Sequence, residues 1–196
     1  MKTTNFLIVA AGIISSMPAW AENTIYITPY IGYSFSNSIT DENGTKIAID
    51  DDLHYALSIE TDLSPGRAGL FISHQPNTTA YFDDSSFTYV HFQSSLQFKP
   101  FKNIDTYFGA SLGTTIVDAK WTDDDLLWSG GLQAGASYHI ANNLELIFEG
   151  RWLANLIDSD TTTRCTLPTG SETCNIKIES KWLSQFQTNL GLRYSF

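Results

Sequence analysis

The chain lacks any apolar run long enough to cross a bilayer as a helix. Its longest, Phe6 to Ile14, falls well short of the roughly 20 residues a span requires. A helical membrane protein is excluded, whereas a membrane protein built of strands is not, because its signal per segment is weak. Bases are also scarce, with 11 Lys and Arg against 21 Asp and Glu and a net charge of −10, which argues against nucleic acid as a partner. There are only two cysteines, Cys165 and Cys174, with no Cys-x-x-Cys spacing and no histidine near them. That removes the usual zinc and redox motifs. The aspartates of 50–52 and 123–125 lack the interleaved spacing and glycine of an EF-hand loop, so no metal site is assigned. Nothing in the pattern calls for a cofactor.

What is present begins with a targeting segment. Lys2 supplies a positive end, Phe6 to Ile14 an apolar stretch that Pro18 interrupts, and Ala19-Trp20-Ala21 a small-residue cleavage site. Residues 1–21 therefore read as a signal peptide and 22–196 as one domain, a suitable length for a single unit. Export delivers the cysteines to an oxidising compartment, where a Cys165–Cys174 disulfide is expected to close a short loop.

The dominant signal after residue 22 is alternation with a period of two. Ile25, Ile27, Pro29, Ile31, Tyr33 and Phe35 share one face, opposite Tyr26, Thr28, Tyr30, Gly32, Ser34 and Ser36. The same split recurs seven more times, around residues 53–60, 67–73, 89–98, 107–116, 128–139, 144–155 and 182–196. The segment 144–157 also has apolar residues at helical spacing, but the Asn142-Asn143 turn before it favours a strand. Short turns are expected at 62–66, 100–105 and 141–143, and longer polar loops at 37–51, 76–86, 118–126 and 158–180. Short turns at one end and long loops at the other are the pattern of an outer-membrane barrel with its termini and turns in the periplasm.

Alternation alone does not say which face is outside, since a soluble barrel would put its apolar face inward. Threading the strands up and down puts Tyr33, Phe35, Tyr55, Trp128, Trp152 and Trp182 near the loop end of the apolar face. Phe98, Phe108, Tyr138, Tyr194 and Phe196 fall at its turn end. Ile31, Leu57, Leu70, Leu112 and Leu132 lie between. Two aromatic girdles around an aliphatic band are what two membrane–water interfaces select, so this face should meet lipid.

The other face carries Glu60, Glu145 and Glu149 with Arg67, Arg151 and Arg193. An eight-stranded barrel has room inside only for side chains, and charges buried there must be paired. Glu60 should meet Arg67 across the 62–66 turn, and Glu145 should meet Arg193 on the neighbouring strand, leaving Glu149 and Arg151 in mid-lumen. Gly109, Gly113, Gly131, Gly135 and Gly191 on this face should leave room for long side chains from across the lumen.

The chain ends on outward Leu192, Tyr194 and Phe196, which resemble the C-terminal signal read by the outer-membrane assembly machinery. Strand number, loop asymmetry and Pro29-Tyr30-Ile31-Gly32 make residues 22–196 resemble the small OmpA-like and OmpX-like barrels. The resemblance implies an eight-stranded antiparallel up-and-down transmembrane β-barrel, all-β, in the outer membrane. No peptidoglycan-binding domain follows Phe196, so it implies no wall anchor.

Three function classes follow. The first is a barrel with a filled polar lumen that displays acidic extracellular loops in a structural or surface-interaction role. Its partners would be outer-membrane lipid and lipopolysaccharide, the assembly machinery, and an extracellular ligand of the loops. The second is a small gated channel for ions or small solutes. The third, a lipid-modifying enzyme, is disfavoured. Such an enzyme needs a nucleophile and base on the lipid-facing wall. That wall offers Ser94, Thr114, Ser184 and Thr188, with only His74 at its rim and no outward carboxylate beside it; His54, His91 and His139 face inward.

Overall fold

The computed structural model describes residues 24–36, 39–40, 46–47, 52–79, 82–118, 126–156 and 182–196. Period-two alternation becomes strand throughout: β1 (Ile25–Ser36), β2 (Ile39–Thr40), β3 (Lys46–Ile47), β4 (Asp52–Leu63), β5 (Gly66–Thr79), β6 (Phe82–Phe101), β7 (Ile104–Asp118), β8 (Leu126–Ala141), β9 (Leu144–Leu156) and β10 (Trp182–Ser195). The ambiguous segment 144–156 is a strand, because both its edges are paired: Arg151 lies opposite Gln133 of β8 and Gln187 of β10.

Eight of the strands close into one barrel in the order β1-β10-β9-β8-β7-β6-β5-β4, while β2 and β3 form a separate two-stranded ribbon. Every barrel pair is antiparallel, and β1 closes the ring against both β4 and β10. Closure leaves no open edge in the wall, the condition for strands to sit in a medium without water.

The connections differ from expectation in length. The turns are tighter, with only Ser64-Pro65, Lys102-Asn103 and Asn142-Asn143 left between strands. The segment 76–86, expected as a loop, continues the β5–β6 ladder from Gln75↔Phe87 through Asn77↔Ser85 to Thr79↔Phe82. Its polar residues suit a strand pair with little to bury, which composition alone cannot tell from a loop. The expected loops 118–126 and 158–180 fall mainly or wholly outside the described residues. So do the signal peptide, its cleavage site, and Cys165 and Cys174.

The apolar face is the outer one. Leu112 is 74% exposed and Trp128 71%, and Ile31, Leu57, Leu70, Leu132, Leu190 and Leu192 are also exposed. A continuous apolar exterior of this kind marks a non-aqueous contact. The expected girdle residues Tyr33, Phe35, Tyr55, Trp152, Phe98, Phe108, Tyr138, Tyr194 and Phe196 all point outward. The side chain of Trp182 lies outside the described residues. The aliphatic band is less pure than expected, for Phe92 stands in it between Leu70 and Leu112.

Candidate functional site: the lumen

The inward face is polar but not uniformly so. Thr28, Ser34, His54, Ser58, Ser73, Gln75, His91, Thr115, Arg151, Asn155 and Gln187 have no accessible surface. They share the interior with two apolar groups. Tyr30, Phe71, Tyr107 and Ile147 form one, and Phe87, Tyr89, Val117 and Leu153 with Leu127 form the other. Val117, Leu127 and Leu153 lie near the loop-side ends of their strands, so the second group sits at the loop end.

Glycines set the room for several inward rings. Four of the inward rings lie over glycines of the adjacent strand. Tyr30 is paired with Gly191 and Tyr107 with Gly135. A methyl group at Gly191 would come within 2.5 Å of the Tyr30 ring, and one at Gly135 within 2.6 Å of the Tyr107 ring. His54 over Gly32 and His91 over Gly113 repeat the arrangement. These four rings lean along the wall over a partner without a Cβ, whereas Phe71, Phe87 and Tyr89 face partners with side chains, Ser58 and His91, Gln75 and Val117, and Ser73 and Thr115.

The charged residues form one continuous network. Arg151, 0% exposed, donates from Nε to Glu149 Oε1 at 3.1 Å and from Nη2 to Gln93 Oε1 at 2.8 Å, and its guanidinium stacks 3.6 Å from the Phe71 centroid. Glu149 also accepts from Tyr107 Oη at 2.8 Å and Asn189 Nδ2 at 3.1 Å. Gln93 Nε2 donates to Glu60 Oε1 at 3.0 Å, which joins the middle of the lumen to the turn end. There Arg193 binds Glu60 Oε2 at 3.3 Å and Glu145 Oε2 at 3.1 Å. Glu145 is also 3.8 Å from Arg67 and 3.4 Å from His139. His139 in turn lies 3.3 Å from Asp105, which reaches the exposed Lys99 at 3.9 Å.

Glu145 and Arg193 thus meet as ladder partners. Glu60 and Arg67 do not meet. Glu60 faces Gly69 in register and Arg67 faces Asp62, so each reaches over the lumen instead, to Arg193 and Glu145. Sequence reasoning also missed Gln93, the link between the two halves, and Asp105, the fourth acid. Parity was the available signal for both. Asp105 was hidden because the turn was drawn at 100–105, whereas β7 starts at Ile104.

The buried histidines are held structurally. Asn189 Nδ2 is committed to the Glu149 carboxylate, so its Oδ1 accepts, at 2.6 Å, from His54 Nε2. His54 Nδ1 then accepts from the Ser34 hydroxyl at 2.8 Å. His91 engages the hydroxyls of Ser111 at 2.9 Å and Ser129 at 2.7 Å. On the outer wall His74 Nδ1 meets Thr88 Oγ1 at 2.9 Å, a pair not anticipated, with no carboxylate among the described residues to orient the ring. Thr188 Oγ1 is turned to the Tyr33 carbonyl at 3.3 Å. Among the described residues no group of His, Cys, Asp and Glu is arranged to hold a metal ion.

The C-terminal residues Leu192, Tyr194 and Phe196 point outward, the last two with ring centroids 4.7 Å apart. The Phe196 amide donates to the Ile25 carbonyl at 3.0 Å, fastening the end of the chain to the first strand.

No protein-family model matches the chain, and no curated protein matches it. Among solved structures it is similar to Neisserial surface protein A, with TM-score 0.60 and 15% identity over 89% of this chain and 100% of that one. It is also similar to outer membrane protein H of P. aeruginosa, with TM-score 0.55 and 18% identity over 89% and 100%. The outer membrane protein AlkL gives TM-score 0.54 and 14% identity over 92% and 94%. This chain has the fold of the small eight-stranded outer-membrane β-barrels.

Proposed function

We propose that the protein is an integral outer-membrane barrel with a filled, non-conducting lumen, whose acidic loops face outside the cell in a structural or surface-interaction role. The observation that carries this reading is the interior itself. Arg151, Glu149, Gln93, Glu60, Arg193 and Glu145 form a bonded chain from mid-lumen to the turn end, and apolar groups fill the spaces around it. A molecule evolved for free passage would leave a continuous open axis from the loop end to the turn end. The exposed apolar wall supports insertion in lipid, with lipid and lipopolysaccharide as the surrounding partners. The aspartate-rich loops, and an extracellular ligand for them, are what remains to carry an interaction. The outward Leu192, Tyr194 and Phe196 serve the assembly machinery.

Two measurements test this. Protease added to intact cells should cut within 158–180 and spare the three tight turns. The refolded protein should be silent in planar bilayers. Recovery of the processed protein as a soluble periplasmic species, or a stable open conductance, refutes it. The small gated channel is the second reading, favoured by the buried Arg151 Nη1 and Gln187 amide, which have no hydrogen-bond partner among the described residues. Among the described residues a lipid-modifying activity has only the His74–Thr88 pair behind it, without an orienting acid.

A further inference from the structure

The lumen has two kinds of filling, and they differ in how well they keep water out. The ion-paired section is incompletely satisfied. Arg67 Nη1, Arg151 Nη1, Gln133 Oε1 and both polar atoms of the Gln187 side chain are buried without a hydrogen-bond partner among the described residues. Gln133, Arg151 and Gln187 lie opposite one another on β8, β9 and β10, so three of these residues adjoin. Buried polar groups in such positions are ordinarily met by internal water.

The loop end is filled differently. Phe87, Tyr89, Val117 and Leu153 pack together from β6, β7 and β9, with Leu127 of β8 against them. The remaining sector is spanned by a hydrogen bond from Gln185 of β10 to Gln75 of β5, strands separated in the wall by β1 and β4. Those two glutamines are the ladder partners of Leu153 and Phe87, so the amide bridge and the apolar cluster form one layer. Asn155, bonded to Thr115 and Tyr89, joins its edge.

We propose that this loop-end layer, not the charge network, is the seal of the lumen, and that the polar section below it is hydrated and able to pass small ions once the layer is thinned. The inference rests on the reading of a closed lumen. An apolar constriction excludes ions by refusing to wet, whereas a chain of ion pairs offers them partners to exchange with. With the layer in place the barrel is closed whatever the ion pairs do. Without it, the section below is lined on one side by Tyr30, Phe71, Tyr107 and Ile147 and on the other by partly satisfied guanidinium and amide groups, and that polar side is the wettable path to the turn end.

The test is ion conductance of the full processed chain in planar bilayers of neutral lipid in potassium chloride, with folding scored by the heat-modifiable gel shift. Phe87→Ala/Leu153→Ala should show discrete conductance steps that the wild type lacks. Val117→Thr, nearly isosteric, wets the layer without emptying it and should conduct more often than wild type, which keeps the idea testable if the double variant fails to fold. Folded variants that stay silent overturn the proposal while leaving the closed-lumen reading intact. So does a conductance in Arg193→Met with Phe87 and Leu153 in place. An open wild type overturns the closed-lumen reading itself.

Discussion

Replacing Arg151 by alanine removes one half of the most deeply buried ion pair in the barrel. The guanidinium neutralises Glu149 through Nε and Nη2, supplies Gln93 with a donor, and covers the Phe71 ring. Breaking a buried pair by deleting one partner costs about 3–5 kcal/mol, because the other charge is left uncompensated. Here the lower part of that range applies, since Glu149 keeps its bonds from Tyr107 and Asn189. The lost cation–π contact adds roughly 1 kcal/mol in the same direction. Removing both charges together, in Arg151→Met/Glu149→Gln, should recover much of the loss, because hydrophobic replacement of a buried pair is often neutral. Lys99 is 78% side-chain exposed, and Lys99→Ala should change nothing measurable. The assay is the temperature at which the folded gel band of the purified protein disappears. If Arg151→Ala melts with Lys99→Ala and wild type, the charge network does not stabilise this barrel.

Other outcomes follow from the same geometry. Gly191→Val should destabilise by about 1–3 kcal/mol through overpacking against Tyr30, and adding Tyr30→Ala should restore part of that on the same melting assay. Protein from the outer membrane should have a mass that begins at Glu22, and a retained Met1 refutes the cleavage site. Cys165 and Cys174 should resist alkylation until reduced, and their bond should contribute roughly 2–3 kcal/mol to closure of the loop, not to the barrel; reactive thiols in untreated extracts contradict this. Phe196→Ala should slow assembly in cells while leaving the refolded barrel intact, because Phe196 is exposed and its backbone bond to Ile25 survives the change.

Much of this was legible because a strand has only two faces. Once parity is known, every side chain from Ile25 to Ser36 is assigned inside or outside, and one register error would invert them all. Lipid outside and bonded polar groups inside give the two faces opposite compositions, so the faces could be told apart. The Glu145–Arg193 pair needed only one more step, since both lie near the turn end of strands adjacent in sequence. The continuation of β5 and β6 beyond residue 76 was not legible, because polar residues suit a paired strand and a loop equally well, and at Asp105 parity gave the side of the wall but not the start of the strand.

What parity could not decide is who meets whom across the barrel. Glu60 and Arg193 are 133 residues apart, and Arg151 and Gln93 are 58 apart, on strands that are not neighbours. Those contacts depend on strand tilt and stagger at closure, a property of the whole ring and of no single segment. The same closure decided that Glu60 would pass over Arg67, and that the apolar residues of four strands would gather at the loop end. The amino-acid sequence by itself determined which side of the wall each residue occupies. Only the tertiary structure decided its height and its partner, because height in a tilted barrel is fixed jointly by all eight strands.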